Sequence, residues 1–154
     1  MNLDKFKGVY KGQSIDYDQA FGPQCTDLIK IYNVQVVESP AFTGDAYTYA
    51  RNPEPNYYDF HKNTPLYIPP KGAIAVWNKN VGYGYGHAAI VLSAGLMSFT
   101  SLDQNWRKNT TVQEVHHIYT NVDCFLVPKK PVQEPHYTKL RQDLEALCKK
   151  YPMV

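Results

Sequence analysis

An α+β fold, with N-terminal helices packed on a small antiparallel sheet, is what this sequence predicts. The first observation is order: apolar residues recur at helical spacing near the start, then change to period two from Lys71 onward. The second is punctuation, because short strand-like runs follow one another with Gly- and Asn-rich turns between them. The third is composition: 44% hydrophobic and 19% charged residues in 154 suit one domain with a real core and exclude a disordered or coiled-coil chain.

Leu3, Phe6 and Tyr10 share one helical face, and Gly12 can end that helix. A second helix begins near Cys25 and buries Leu28, Ile29 and Tyr32. Residues 38–70, rich in Pro and Tyr, read as irregular, with a short helix around residues 44–50. "GAIAVWN", "GHAAIVLSA", "LMSFTSLDQNW", "VQEVHHIY" and "DCFLVP" then read as five consecutive strands. Residues 1–128 make the domain, 129–137 a linker, and 138–154 a helical tail striped by Leu140, Leu144, Leu147 and Cys148.

Several function classes drop out. A net charge of +2 without an arginine-rich, aromatic-interleaved run argues against nucleic acid. No segment approaches a membrane span, and "MNLDKFKGVY" lacks the apolar stretch of a signal peptide, so synthesis in a cytoplasm is expected. Three distant cysteines, Cys25, Cys124 and Cys148, do not form a disulfide framework, and no Cys or His pair has zinc-ligand spacing.

Chemistry concentrates at a few positions. A thiol attacks as thiolate, and the amide dipoles at a helix start favour that form, which singles out Cys25. A thiol nucleophile also needs an oriented base. His61 and His136 fall in loop and linker, and the adjacent His116 and His117 point to opposite faces of a strand. His87 opens a strand directly after "VGYGYG". Asp103 and Asn105, of equal parity on the next strand, could each accept its N–H and fix its tautomer.

The segments "GPQCTDLIKIY", "PPKGAIAVWN", "GHAAIVLS" and "LDQNW", in this order over residues 12–128, resemble those of the CHAP family. These are the cysteine, histidine-dependent amidohydrolase/peptidase domains of phage lysins and bacterial autolysins. The resemblance implies a papain-like fold, with Cys25 as nucleophile and His87 as general base and acid. Asp103 and Asn105 match the family's acidic residue and asparagine, and Gln24 a position associated with the oxyanion hole. The implied substrate is bacterial peptidoglycan, cut at the muramoyl-L-alanine amide or within the stem or cross-bridge. A lysin released from the host cytoplasm through a holin, a virion-associated tail lysin and a bacterial autolysin are all compatible, and a non-catalytic wall-binding module is the rival class. Tyr47, Tyr49, Tyr57, Tyr58 and Trp77 are candidate groove contacts.

Counting from Asp16, the offsets of Asp18, Ala20, Gly22 and Asp27 are those from which a calcium loop draws oxygens, although Phe21 stands where such loops place glycine. Some phage members of the family carry calcium there. Calcium is therefore the expected cofactor, and it would offset the carboxylates crowding Cys25.

Overall fold

The computed structural model describes residues 1–132 and 135–150. Helix α1 (Leu3–Tyr10) starts at Asn2, whose side chain accepts the Lys5 N–H, and buries Leu3 and Phe6. Helix α2 (Cys25–Tyr32) follows a loop, and a π-helical turn over Asn33–Val37 prolongs it. A 3-10 helix occupies Ala46–Ala50, where the sequence predicts a short helix.

Six strands form one antiparallel sheet: β1 (Tyr58–Lys62), β2 (Ile74–Trp77), β3 (His87–Ala94), β4 (Ser98–Asp103), β5 (Gln113–Ile118) and β6 (Val122–Pro128), in the order β1-β6-β2-β3-β4-β5. The predicted meander holds from β2 to β5, and β6 then returns to pair with β2. Strand β1 lies inside the stretch read as irregular. It is an edge strand exposing Asp59, Phe60 and Lys62, so it lacks the apolar alternation that marks the others.

The sheet is apolar on both faces. Ile74, Val76, Ala88, Ile90, Leu102 and Leu126 meet Leu28, Ile29 and Tyr32 of α2 and Leu3 and Phe6 of α1. Burying each of these large side chains contributes about 1.5–3 kcal/mol. The Tyr32 hydroxyl donates to the Gly72 carbonyl at 2.8 Å, tying α2 to the approach to β2. On the other face, Trp77, Val91, Phe99 and Phe125 form a second cluster.

The linker expectation changes. Lys129 N–H donates to the Tyr57 carbonyl, Val132 is buried, and its carbonyl accepts the Leu3 N–H, so residues 129–132 are built into the domain. Helix α3 (Pro135–Lys150) begins before residue 138 and so takes in His136. Leu140, Leu144 and Leu147 of its expected stripe are exposed, as is Cys148.

Gly86 sits against His87 with φ +75°, and a Cβ there would lie 2.7 Å from the Trp77 carbonyl and 2.8 Å from Tyr47. Gly84 has φ +93° and open space around it. Gly86→Ala is expected to cost roughly 2–4 kcal/mol and Gly84→Ala about 1, the first adding backbone collision to left-handed strain. Urea denaturation of the two variants checks the order, and equal losses would contradict the close approach.

Candidate active site

Cys25 is the first residue of α2, half-buried, directly after Gln24. The entry to the helix is held from two sides. Asp27 Oδ2 accepts the Gln24 N–H at 2.8 Å, capping the helix from inside its first turn. Gln104 Nε2 donates to the carbonyls of Gln24 and Ile15, both at 2.7 Å, while its Oε1 accepts the Ile15 N–H at 2.7 Å. Gln104, fully buried at the end of β4, therefore staples the loop that delivers Cys25 to the strand that carries Asp103. In the sequence it looks like an ordinary turn residue in "DQN".

His87 opens β3 after a turn in which Gly82, Tyr83, Gly84 and Gly86 all have positive φ. It is 3% exposed, and its Nε2 lies 2.8 Å from Asp103 Oδ2. A carboxylate only accepts, so Nε2 carries the hydrogen, and a neutral His87 has a bare Nδ1. That leaves Nδ1 for Cys25, whose charge acts on the imidazole. Burial alone would lower the His87 pKa, but negative charge at Cys25 and the Asp103 carboxylate outweigh it and raise the value to about 9. Burial pushes Asp103 towards its neutral form, yet hydrogen bonds from His117 and His87 prevail and hold its pKa below the usual carboxylate range.

Asp103 and Asn105 part company. Strand β4 ends at Asp103, and Asn105, Arg107 and Lys108 adopt left-handed φ of 59°, 50° and 66° in the turn that follows. That turn sends Asn105 into solvent, so the parity argument fails for it and Asp103 alone of the two meets His87.

The sequence reading set His117 aside. His116 and His117 do face opposite sides of β5, but His117 is buried and its Nε2 lies 3.0 Å from the same Asp103 Oδ2. In register His117 stands opposite Phe99, not Asp103, so its ring leans along the sheet to reach the carboxylate. Strand pairing does not give that contact away. Ser101 Oγ donates to Asp103 Oδ1 at 2.5 Å. Trp77 and Trp106 wall both imidazoles, with ring centroids 4.7–5.1 Å from them.

Most of the expected groove contacts are core instead. Tyr49, Tyr58 and Trp77 are at most 2% exposed, because they fill the space between sheet and connecting segments. Tyr58 donates its hydroxyl to Asn33 Oδ1. Tyr57 is half-buried against the core, and the Tyr47 ring lies under Lys79 and Arg51. Trp77 reaches only the floor of a cleft of about 670 Å3 that Trp106, His117, Asn109 and Gln113 also line. The exposed aromatics close in sequence to Cys25 and His87 are Phe21, Tyr83 and Tyr85.

One oxygen from each of Asp16, Asp18 and Asp27 falls within a 4.8 Å cluster. Lys30 pairs with Asp18 and lies 3.8 Å from Asp27 Oδ1, a buried oxygen that no hydrogen bond satisfies. The Lys30 hydrogen bond lowers the Asp18 pKa, whereas burial raises that of Asp27.

The CHAP domain profile matches residues 14–105, well over half of the chain. The chain is 35% identical over 107 residues to endolysin LysK of Staphylococcus phage K, covering 68% of this chain and 22% of that protein. It is 33% identical over 102 residues to the probable autolysin PH of Staphylococcus aureus, covering 62% and 20%. It thus spans about a fifth of the length of these relatives. The crystal structure of wild-type endolysin LysIME-EF1 superposes with a TM-score of 0.68 at 24% identity over 87% of this chain and 64% of that one, a likeness of fold.

The raised pKa of His87 has a definite sign. Its ion pair contributes to folded stability fully below the unfolded value of 6.5 and is lost as pH rises through about 9. The His87 ring signals in long-range 1H–15N spectra are expected to titrate near 9 in the wild-type protein and lower in Cys25→Ala, because charge at Cys25 is the largest influence raising the value. Peptide mapping after alkylation checks the thiols. Cys124, whose thiol burial pushes up to about 12, should stay unmodified while the protein is folded. A His87 titration left unchanged in Cys25→Ala would contradict the pairing.

Proposed function

The chain belongs to the CHAP domain family, and from that premise we propose that it hydrolyses an amide bond of bacterial peptidoglycan by thiol catalysis. The observation that carries the reading is the sequence of contacts from Cys25 through His87 to Asp103. A wall-binding module has no use for a hydrogen-bonded thiol, imidazole and buried carboxylate.

The Cys25 thiolate attacks the carbonyl carbon, and a C–S bond forms. The Cys25 backbone N–H and Gln24 are the oxyanion donors, with the Gln24 backbone already fixed by Asp27 and Gln104. As the C–N bond breaks, His87 Nδ1–H protonates the leaving amine. Water then attacks the thioester while Nδ1 takes its proton, releasing the new carboxylate and the Cys25 thiol. Asp103 stays ionised throughout, holding the imidazole and stabilising its charged form. The exposure of Phe21, Tyr83 and Tyr85, against the burial of Tyr58 and Trp77, favours the former three as substrate contacts.

The scissile bond is the muramoyl-L-alanine amide or a peptide bond of the stem or cross-bridge. The likeness to LysK favours a phage lysin made in the host cytoplasm and acting on the wall, or carried on the virion; the likeness to autolysin PH favours a bacterial autolysin as the second reading. Among the described residues no helix is long and apolar enough to cross a membrane.

The acidic loop fits calcium. The unsatisfied Asp27 Oδ1 supports this, as do three clustered carboxylates against a single lysine. Asp16, Asp18 and Asp27 would hold the ion with the carbonyls of Ala20 and Gly22, displacing Lys30. When bound, it supplies positive charge that fixes the loop leading to Cys25.

Cys25→Ala is expected to abolish turbidity loss of purified walls while leaving the protein folded, and Cys124→Ala and Cys148→Ser to retain it. Mass spectrometry of the digest identifies the new termini, and an active Cys25→Ala would refute thiol catalysis. Calcium should raise the melting temperature of chelator-treated protein by mass action and restore its lytic rate better than magnesium. The change of Asp16, Asp18 and Asp27 to Asn should remove both effects. Calorimetry with no binding heat, and full lysis in chelator, would contradict the site.

A further inference from the structure

We propose that His117 is a positioning residue for the reaction: it donates through Nε2 to Asp103 and keeps that carboxylate ionised and aimed at His87. The inference rests on the thiol-hydrolase reading of the site and adds a residue to it.

Asp103 is fully buried, and a buried carboxylate with one partner gains proton affinity until it is neutral. A neutral Asp103 could place its own hydrogen towards His87 Nε2. It would then stabilise the tautomer with the proton on Nδ1, which cannot accept from the Cys25 thiol. The carboxylate therefore needs donors other than His87, and two are present. Ser101 Oγ serves Oδ1 at 2.5 Å, and His117 Nε2 serves Oδ2 at 3.0 Å, beside His87 Nε2 at 2.8 Å.

His117 is suited to this task. It is 5% exposed, and its ring is fixed by Phe99 at 5.4 Å, Trp77 at 4.9 Å and Trp106 at 4.7 Å between centroids. The same two indoles pack on His87 at 5.1 and 4.8 Å. The two imidazoles thus sit in one aromatic enclosure with Asp103 between them. The side-chain hydrogen bond of His117 in the site runs to Asp103, so it acts through that carboxylate. Its own Nε2 must be protonated, because Asp103 can only accept.

Glutamine carries its Nε2 at the same number of bonds from Cβ as histidine does, and it donates without titrating. His117→Gln should hold kcat on a defined muropeptide within about 3-fold of wild type. His117→Phe, with a ring but no donor, should lose roughly 10- to 100-fold in kcat with KM within about 2-fold, by analogy with the loss when an outer partner of a metal-bound histidine is removed. Long-range 1H–15N spectra of the wild-type protein at pH 7 should place the hydrogen of His117 on Nε2, a reading that needs neither substrate nor a folded variant. A bare His117 Nε2, a wild-type kcat in His117→Phe, or equal losses in both variants overturns the proposal. If the wild-type enzyme cuts no wall amide, the functional reading fails while the spectrum still decides the role of His117.

Discussion

The buried charge of Asp103 is the constraint on which the rest of the site depends. A carboxylate with no exposure is tolerated only when its oxygens are served by donors, and here three side chains converge on it. Each comes from the sheet: His87 from the start of β3, Ser101 from β4, and His117 from β5. The sheet therefore does more than build a core. It brings together groups 14 and 16 residues from Asp103 in sequence.

Cys25 reaches this network from the other layer. Helix α2 packs on the sheet through Leu28, Ile29 and Tyr32, and its first residue is Cys25. Two polar clamps set where that first residue lies, Asp27 on the Gln24 N–H and Gln104 on the Gln24 carbonyl. Because Gln104 follows Asp103 in the chain, one strand end positions both the loop before Cys25 and the carboxylate beside His87. One oxygen of Asp27 caps the helix, and the other is buried without a hydrogen-bond partner, 3.8 Å from Lys30 Nζ.

Much of this was legible in the sequence. Periodicity gave both N-terminal helices and five of the six strands, because each presents a buried face. Cys25 stood out by its place at a helix start, and His87 by its place after a glycine-rich turn. What escaped has a physical reason. Strand β1 is an edge strand whose side chains are mostly exposed. Asn105 looked equivalent to Asp103 because alternation was carried past the strand end, into a turn with left-handed residues. His117 was passed over because its contact depends on the lean of a ring along the sheet, which spacing does not encode. Tyr49, Tyr58 and Trp77 looked like candidate groove contacts because their rings suit sugar or peptide, yet they fill the core.

The central claim is that Cys25 carries an acyl group between amide cleavage and hydrolysis. Acid quenching of the protein within the first turnover on a defined muropeptide, followed by intact mass and peptide mapping, tests it most directly. The account predicts a mass increase equal to the acyl fragment, located on Cys25, present in wild type and absent in Cys25→Ala. Turnover with no adduct on Cys25 at any quench time, together with cleavage by Cys25→Ala, would contradict it.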